Sequence, residues 1–176
     1  MGAVIRQADA GDLAGIVAVG HRTWPATYEP IAGADYVAMG LAKWWTEEST
    51  TPLIRAGRAL VADVGGEVVG VAVAGPSDGH LVLWKLYVVP ELQGEGLGSR
   101  LLAAVVDRAR GHDHLRVAHM DGNESAAAFY RSHGFVELER EVSGHGIPDS
   151  LWLELEIEPS DGSPAVDGPG GAGESA

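Results

Sequence analysis

Residues Leu86–Leu102, LYVVPELQGEGLGSRLL, constrain this chain more than any other stretch. A β-branched run stops at Pro90, a glycine-rich turn follows, and an amphipathic helix opens directly on the glycines. A helix that begins this way leaves its first backbone N–H groups without intrahelical partners, and the helix dipole adds partial positive charge there. The combination is a phosphate cradle. Gly94, Gly96 and Gly98 leave the backbone room to approach a pyrophosphate, where a Cβ would obstruct it.

Spacing separates the kinds of phosphate loop. A dinucleotide fingerprint requires G-x-G-x-x-G and an acidic residue about 20 positions on, whereas glycines 94, 96 and 98 give G-x-G-x-G. A P-loop requires Gly-Lys-Ser/Thr, and no lysine follows Lys85. What the segment does match is Q-x-x-G-x-G at Gln93, Gly96 and Gly98, directly after a strand ending Val88-Val89-Pro90. This resembles the coenzyme-A-binding motif of the GCN5-related N-acetyltransferases, the GNAT superfamily. A plain strand-to-helix turn carries similar glycines, so a second motif decides. From Leu115 to Phe135 the chain reads LRVAHMDGNESAAAFYRSHGF, in which Asn123, Ala126, Phe129, Tyr130, Gly134 and Phe135 fall on the family's second signature at its usual spacing. The resemblance covers Val4 to Glu158, with its specific part in these two segments.

Length and composition bound the rest. The 176 residues are of single-domain size and 45% are hydrophobic, so one domain is expected over 1–158. The remainder, 159–176, is an acidic tail rich in Gly, Pro and Ser, with too little apolar surface to offset ordering entropy, and is expected to be disordered. No run reaches the roughly 18 apolar residues of a membrane span, and the first residues lack a signal-peptide pattern; the expectation is a cytoplasmic protein without membrane contact. There is no cysteine, which excludes disulfides, thiolate metal sites and an acyl-cysteine intermediate. A formal charge of −13 disfavours nucleic acid and anionic lipid as partners and favours cationic small molecules.

The expected element order is strand, two helices, three strands, helix, strand, helix, two strands. Val4–Arg6 reads as an edge strand, and Asp9 and Asp12 offer N-cap chemistry to a helix carrying Leu13, Ile16, Val17 and Gly20 inward. A second helix is expected after Pro30. Arg58–Asp63 and Glu67–Val73 flank Gly65-Gly66 as a hairpin, Gly75–Gly79 reads as a loop, and Leu81–Val89 as the strand entering the cradle. Leu97, Leu101, Val105 and Ala109 make the inward stripe of the next helix. Asn123 is a good N-cap for a helix over Glu124–Ser132, Gly134 suits its left-handed end, and Leu151–Glu158 alternates as a half-buried strand. The fold class is therefore α/β, a mixed sheet flanked by helices. The resemblance implies the GNAT acyltransferase fold, whose two central parallel strands splay to admit the pantetheine arm.

The same resemblance implies acetyl-CoA as co-substrate, no metal, and a primary amine of a small molecule, peptide or protein as acceptor, by direct attack in a ternary complex. It assigns the cofactor to Leu86, Tyr87 and Val88, to the loop residues Gln93, Gly94, Glu95, Gly96, Leu97, Gly98 and Ser99, and to Asn123. It assigns Tyr130 as the acid that protonates the departing thiolate; a phenol of ordinary pKa, about 10, stays protonated at neutral pH and is near a thiol in acidity. Arg100 is either a further phosphate contact or an exposed helix residue. Family members often carry a glutamate on one of the central strands as base. Neither Leu81–Val89 nor Arg116–Met120 holds an acid. His119, His80 and Asp78 remain as bases, beside a water chain or an amine that arrives neutral. Trp24, Tyr28, Trp44 and Trp45 wall an acceptor pocket or the core, and His21 and His145 are further pocket residues. A catalytically silent acyl-CoA sensor is the alternative function, and monomer and homodimer stay equally open.

Overall fold

The architecture is taken from a computed structural model, which describes residues 2–159; the tail expectation over 160–176 lies outside the described residues. The chain opens with β1 (Val4–Gln7) and passes through one 3-10 turn into three helices, α1 (Leu13–Ala32), α2 (Ala34–Trp44) and α3 (Glu47–Arg55). Then come β2 (Ala59–Val64), β3 (Glu67–Ser77), β4 (His80–Val88), α4 (Leu97–Arg108), β5 (His114–Met120), α5 (Glu124–Ser132), β6 (Val136–Glu141) and β7 (Ser150–Glu156). The strands form one seven-stranded sheet in the order β1-β2-β3-β4-β5-β7-β6. Only the β4–β5 pair is parallel, because α4 carries the chain back between them.

Helices cover both faces. Gly70 of β3 turns its missing side chain toward Leu101 of α4, while Tyr87, opposite the next residue Val71, packs on Trp24 of α1 and on Trp45. Neighbouring residues of a strand point to opposite faces, so α1 and α4 sandwich the centre of the sheet. Valines at 61, 71 and 73, with Leu115 and Leu153, are the buried filling, as expected for a sheet covered on both sides. Trp45 is fully buried between α1 and the sheet, and Lys85 caps it, its ammonium 4.0 Å from the indole centre. Gly20 lies so close to that indole that a Cβ would run into the ring, and Gly40 stands in the same relation to Trp24.

Several expectations need correction. Three helices precede β2, not two: α3 has a Thr46/Ser49 capping box, with Ser49 N donating to Thr46 Oγ1 at 3.0 Å, but Pro52 in its interior hides the helical pattern. α1 runs well past its expected inward stripe and continues through Pro25 and Pro30. An interior proline costs about 3 kcal/mol or more, and burial of Trp24 with the half-buried Tyr28 offsets it. The hydroxyls of Thr23 and Thr27 also donate to the carbonyls one turn back, at 2.8 and 2.9 Å. Gly75 to Ser77 belong to β3, leaving a turn of Asp78 and Gly79 alone. Asp9 and Asp12 form a capping box on the 3-10 turn, Asp9 N donating to the Asp12 carboxylate at 2.8 Å, but the Asp12 side chain does not cap α1; its carboxylate also accepts both terminal nitrogens of Arg6, at 2.7 and 2.9 Å. Among the described residues, no helix is long and apolar enough to cross a membrane, and no cluster of metal-ligating side chains occurs.

Candidate active site

The parallel pairing of β4 with β5 lasts for three residue pairs, Leu81 with Leu115, Val82 with Arg116 and Leu83 with Val117, and then stops. Beyond that point β4 stays paired with β3, and β5 with β7. The two central strands therefore part, and the splay that the resemblance implies is present in the register. At the point of parting β4 carries one extra residue, Trp84, because Val73 pairs with Lys85 and Ala74 with Leu83; bulges bend the strand that bears them. The peptide joining Val88 to Val89 sends its N–H to Val69 of β3. The Val88 carbonyl therefore faces the gap, and alternation puts the polar backbone groups of Leu86 on the same edge.

Gln93 takes up that carbonyl: its side-chain Nε2 donates to Val88 O at 2.9 Å. The glutamine folds the loop back onto the strand. Gly94 and Gly96 then adopt φ of +84° and +86°, a left-handed conformation that favours glycine, with open space where a Cβ would stand. Gly96 is the N-cap of α4 and supplies no side chain. The first intrahelical bond runs from Arg100 N to Gly96 O, so the N–H groups of Leu97, Gly98 and Ser99 have no intrahelical partner. Gly98 keeps helical angles and would meet the Phe129 ring at 3.5 Å, which brings the start of α4 against α5. Ser99 Oγ lies 2.9 Å from His133 Nε2 at the end of α5. Donors, dipole and glycine conformation together fit a pyrophosphate.

Gap and cradle open into one cleft of about 660 Å³. Leu86, Tyr87 and Val88 line it from β4, and Gln93, Gly94, Gly96, Gly98 and Ser99 from the loop and α4. Asn123 and Tyr130 reach it from α5, where the Asn123 side chain accepts from Ala126 N at 3.2 Å as the helix cap. Glu95 and Leu97 do not line it: Leu97 is buried in the core and Glu95 is exposed at the loop. Arg100 does not line it either, since its guanidinium donates to Ala3 O at 2.7 Å. Phe129 of the second signature also lines it, and residues without a sequence signal complete the wall, notably Thr27 of α1, exposed Trp84 and Ser125.

Tyr130 is almost completely buried, and its hydroxyl has no hydrogen-bond partner among the described residues. Burial, helped by nearby Tyr28, pushes its phenol well above the ordinary value. That corrects the expected match to a thiol. Tyr28 and Tyr87 share a hydrogen bond of 2.8 Å between their hydroxyls and are likewise raised by burial, so all three rings are neutral.

His80 and Asp78 sit at the far end of β4, in the turn from β3, outside the cleft. His21 is tied to the Trp45 carbonyl at 3.1 Å, and neither it nor His145 lines the cleft. His119 does. It is 7% exposed, its Nδ1 lies 3.1 Å from Met120 O, and its Nε2 is buried without a partner. Leaving such a nitrogen unpaired costs about 1–3 kcal/mol.

Residues 18–135 match the family model described as the acetyltransferase (GNAT) family. The chain is a member of the GNAT acetyltransferase family. Its GNAT relatives include the L-methionine sulfoximine/L-methionine sulfone acetyltransferase of Pseudomonas aeruginosa, 31% identical over 88% of this chain and 92% of that protein. The L-amino acid N-acyltransferase MnaT of Escherichia coli is 35% identical over 54% of this chain and 59% of that protein. Among solved GNAT structures, the Thermoplasma acidophilum PaiA N-acetyltransferase in complex with coenzyme A superposes with a TM-score of 0.76 at 21% identity, covering 89% of this chain and 99% of that one; at that identity it speaks for the fold alone.

Proposed function

We propose that this acetyltransferase uses acetyl-CoA to acetylate the primary amine of a small, amino-acid-like molecule by direct attack in a ternary complex. The single observation that carries the reading is the end of the β4–β5 register in a cleft that has a phosphate cradle at one end and the Tyr130 hydroxyl in its wall. The activities for which the relatives are named, on L-methionine sulfoximine, L-methionine sulfone and L-amino acids, favour a free amino acid over the broader class of peptide and protein amines.

The N–H groups at the start of α4 and glycines 94 and 96 would hold the pyrophosphate, and the gap-side backbone of Leu86 would pair with an extended amide-bearing arm. Acetyl-CoA supplies the activated acyl group. Phe129, Leu86 and the three tyrosines line the cleft, and an acyl-CoA seated against them would displace water, which strengthens each polar contact made there. The neutral Tyr130 acts as an O–H donor held for the sulfur, where negative charge develops. With its phenol raised, it stabilises the thiolate by hydrogen bonding and is poorly suited to give up its proton early.

An acyl-CoA sensor would need the cradle alone; a phenol buried in the cleft wall with an unbonded hydroxyl favours the enzyme. Thiol release from acetyl-CoA across a panel of free amino acids, polyamines, aminoglycosides and peptides tests the reading. Turnover greatest with amino acids is expected. Tight CoA binding with no thiol release for any amine would replace the enzyme with the sensor.

A further inference from the structure

We propose that His119 is the general base of this acetyltransferase, receiving at Nε2 the proton that the acceptor ammonium must lose; the assignment rests on the function proposed above. Its ring chemistry is set by the strand end. Met120 O is an acceptor only, so the 3.1 Å contact requires that Nδ1 carry the hydrogen. In the neutral ring Nε2 is then a bare lone pair. That nitrogen is buried and unpartnered in a residue that lines the cleft, and it stands where β5 has parted from β4, two residues beyond the last parallel pair at Val117.

The composition of the wall makes the assignment sharper. Among the residues lining the cleft there is no Asp, Glu, Lys or Arg. The titratable groups that share it are Tyr28 of α1, Tyr87 of β4 and Tyr130 of α5, all held neutral by burial. Opposite His119 on β7 is the apolar Leu151. On β5 itself Arg116 is spent on Glu154 of the flanking β7 at 2.8 Å, and beyond the end of β5 Asp121 and Asp149 are both bound by Arg140 at 3.0 Å. His133 of α5 is engaged with Ser99 and with Phe129 O. Among the lining residues, His119 is left as the one side chain with an unpartnered imidazole nitrogen to accept a proton.

The bookkeeping of the reaction closes on these groups. Nε2 takes one proton from the ammonium, and the freed nitrogen lone pair forms the new C–N bond as the C–S bond breaks. Tyr130 donates a hydrogen bond to the departing sulfur and hands its proton over only as the nitrogen's second proton replaces it on the phenol, so the sulfur leaves as thiol; the imidazolium returns its proton to solvent, and one proton leaves per turnover. No oxidant or further co-reactant is required.

Three measurements test this. Long-range proton–nitrogen NMR spectra of the unaltered protein should show His119 with hydrogen on Nδ1 and none on Nε2; the opposite tautomer would overturn the assignment whether or not any variant folds. In wild type, kcat/KM should rise with pH along a limb that stays in place when amines of different pKa are exchanged. His119→Gln should remove that limb and lower kcat/KM about 10²-fold, while CoA affinity measured by calorimetry is unchanged. A limb that follows the amine, or one that survives the substitution, overturns the assignment. Equal loss of CoA affinity would make Nε2 a cofactor contact instead. Wild-type inactivity toward every amine would overturn the proposed function and this base with it, whereas an active enzyme with an unaltered limb overturns the base alone.

Discussion

Gln93 Nε2 donates to the carbonyl of Val88 at 2.9 Å, so the loop that forms the cradle is tied to the strand that forms one edge of the gap. Gln93→Leu keeps the volume and removes the donor. One such bond contributes about 1 kcal/mol, so CoA affinity should fall about fivefold with a modest drop in melting temperature. Calorimetry and thermal melts give both quantities. If neither moves, the tie does not position the cradle.

Gly96 provides the sharper test of charge. Gly96→Asp and Gly96→Asn both place a side chain that tolerates left-handed backbone at φ of +86°, where there is space for it. Only the aspartate adds a negative charge beside the free N–H groups. The expected loss in CoA affinity is about 2 kcal/mol, or 30-fold, for the aspartate, and several-fold less for the asparagine. Equal affinities for the two variants would remove phosphate from the cradle.

Tyr130→Phe separates chemistry from folding. Tyr130 lines the cleft and its hydroxyl makes no hydrogen bond among the described residues, so deleting it should leave stability nearly unchanged, with CoA affinity intact. Turnover should fall about 10²-fold if the phenol serves the leaving sulfur. Wild-type turnover in this variant would pass that role to another group.

Asp12 gives a pH signature unrelated to the site. The Arg6 guanidinium, bonded through two nitrogens, holds the Asp12 carboxyl below the usual carboxylate range, and Asp9 N–H adds to the effect. A depressed folded pKa gives stability that is fully present above the unfolded value, about 3.9, and is lost as pH falls through the folded one. Asp12→Asn should therefore melt earlier than wild type at pH 7, and the difference should shrink as denaturation is followed below about pH 4. A gap that is constant with pH would mean that the ion pair contributes only packing.

The cradle and α5 were legible because backbone conformation dictated the residues: Gly94 and Gly96 need positive φ, Asn123 caps, and alternation marks β7. What the sequence concealed depends on contacts between distant positions. Proline disfavours a helix interior by local propensity, yet Pro25, Pro30 and Pro52 lie inside α1 and α3, and along α1 burial of Trp24 and the seat of Trp45 on Gly20 outweigh that propensity. Gly20 was legible as an inward-facing helix residue, but not as the flat seat of an indole contributed by a residue 25 positions away. Trp84 is hydrophobic within a hydrophobic run, so nothing local announces the bulge that turns it outward. The missing strand glutamate was visible, but the choice of His119 over His80 required knowing where β4 and β5 part company.

That parting has a mechanical side. Three residue pairs are all that stitch β1–β4 to the β5-β7-β6 plate, so the sheet is two leaves sharing a short spine. A molecule threaded through the opening and bonded to the Leu86 edge would act as a pin between the leaves. The gap-facing amides of β5 beyond Val117, which have no partner on β4, should then exchange with solvent more slowly, relative to their starting rates, than those of β2 and β3 do once the pin is in place.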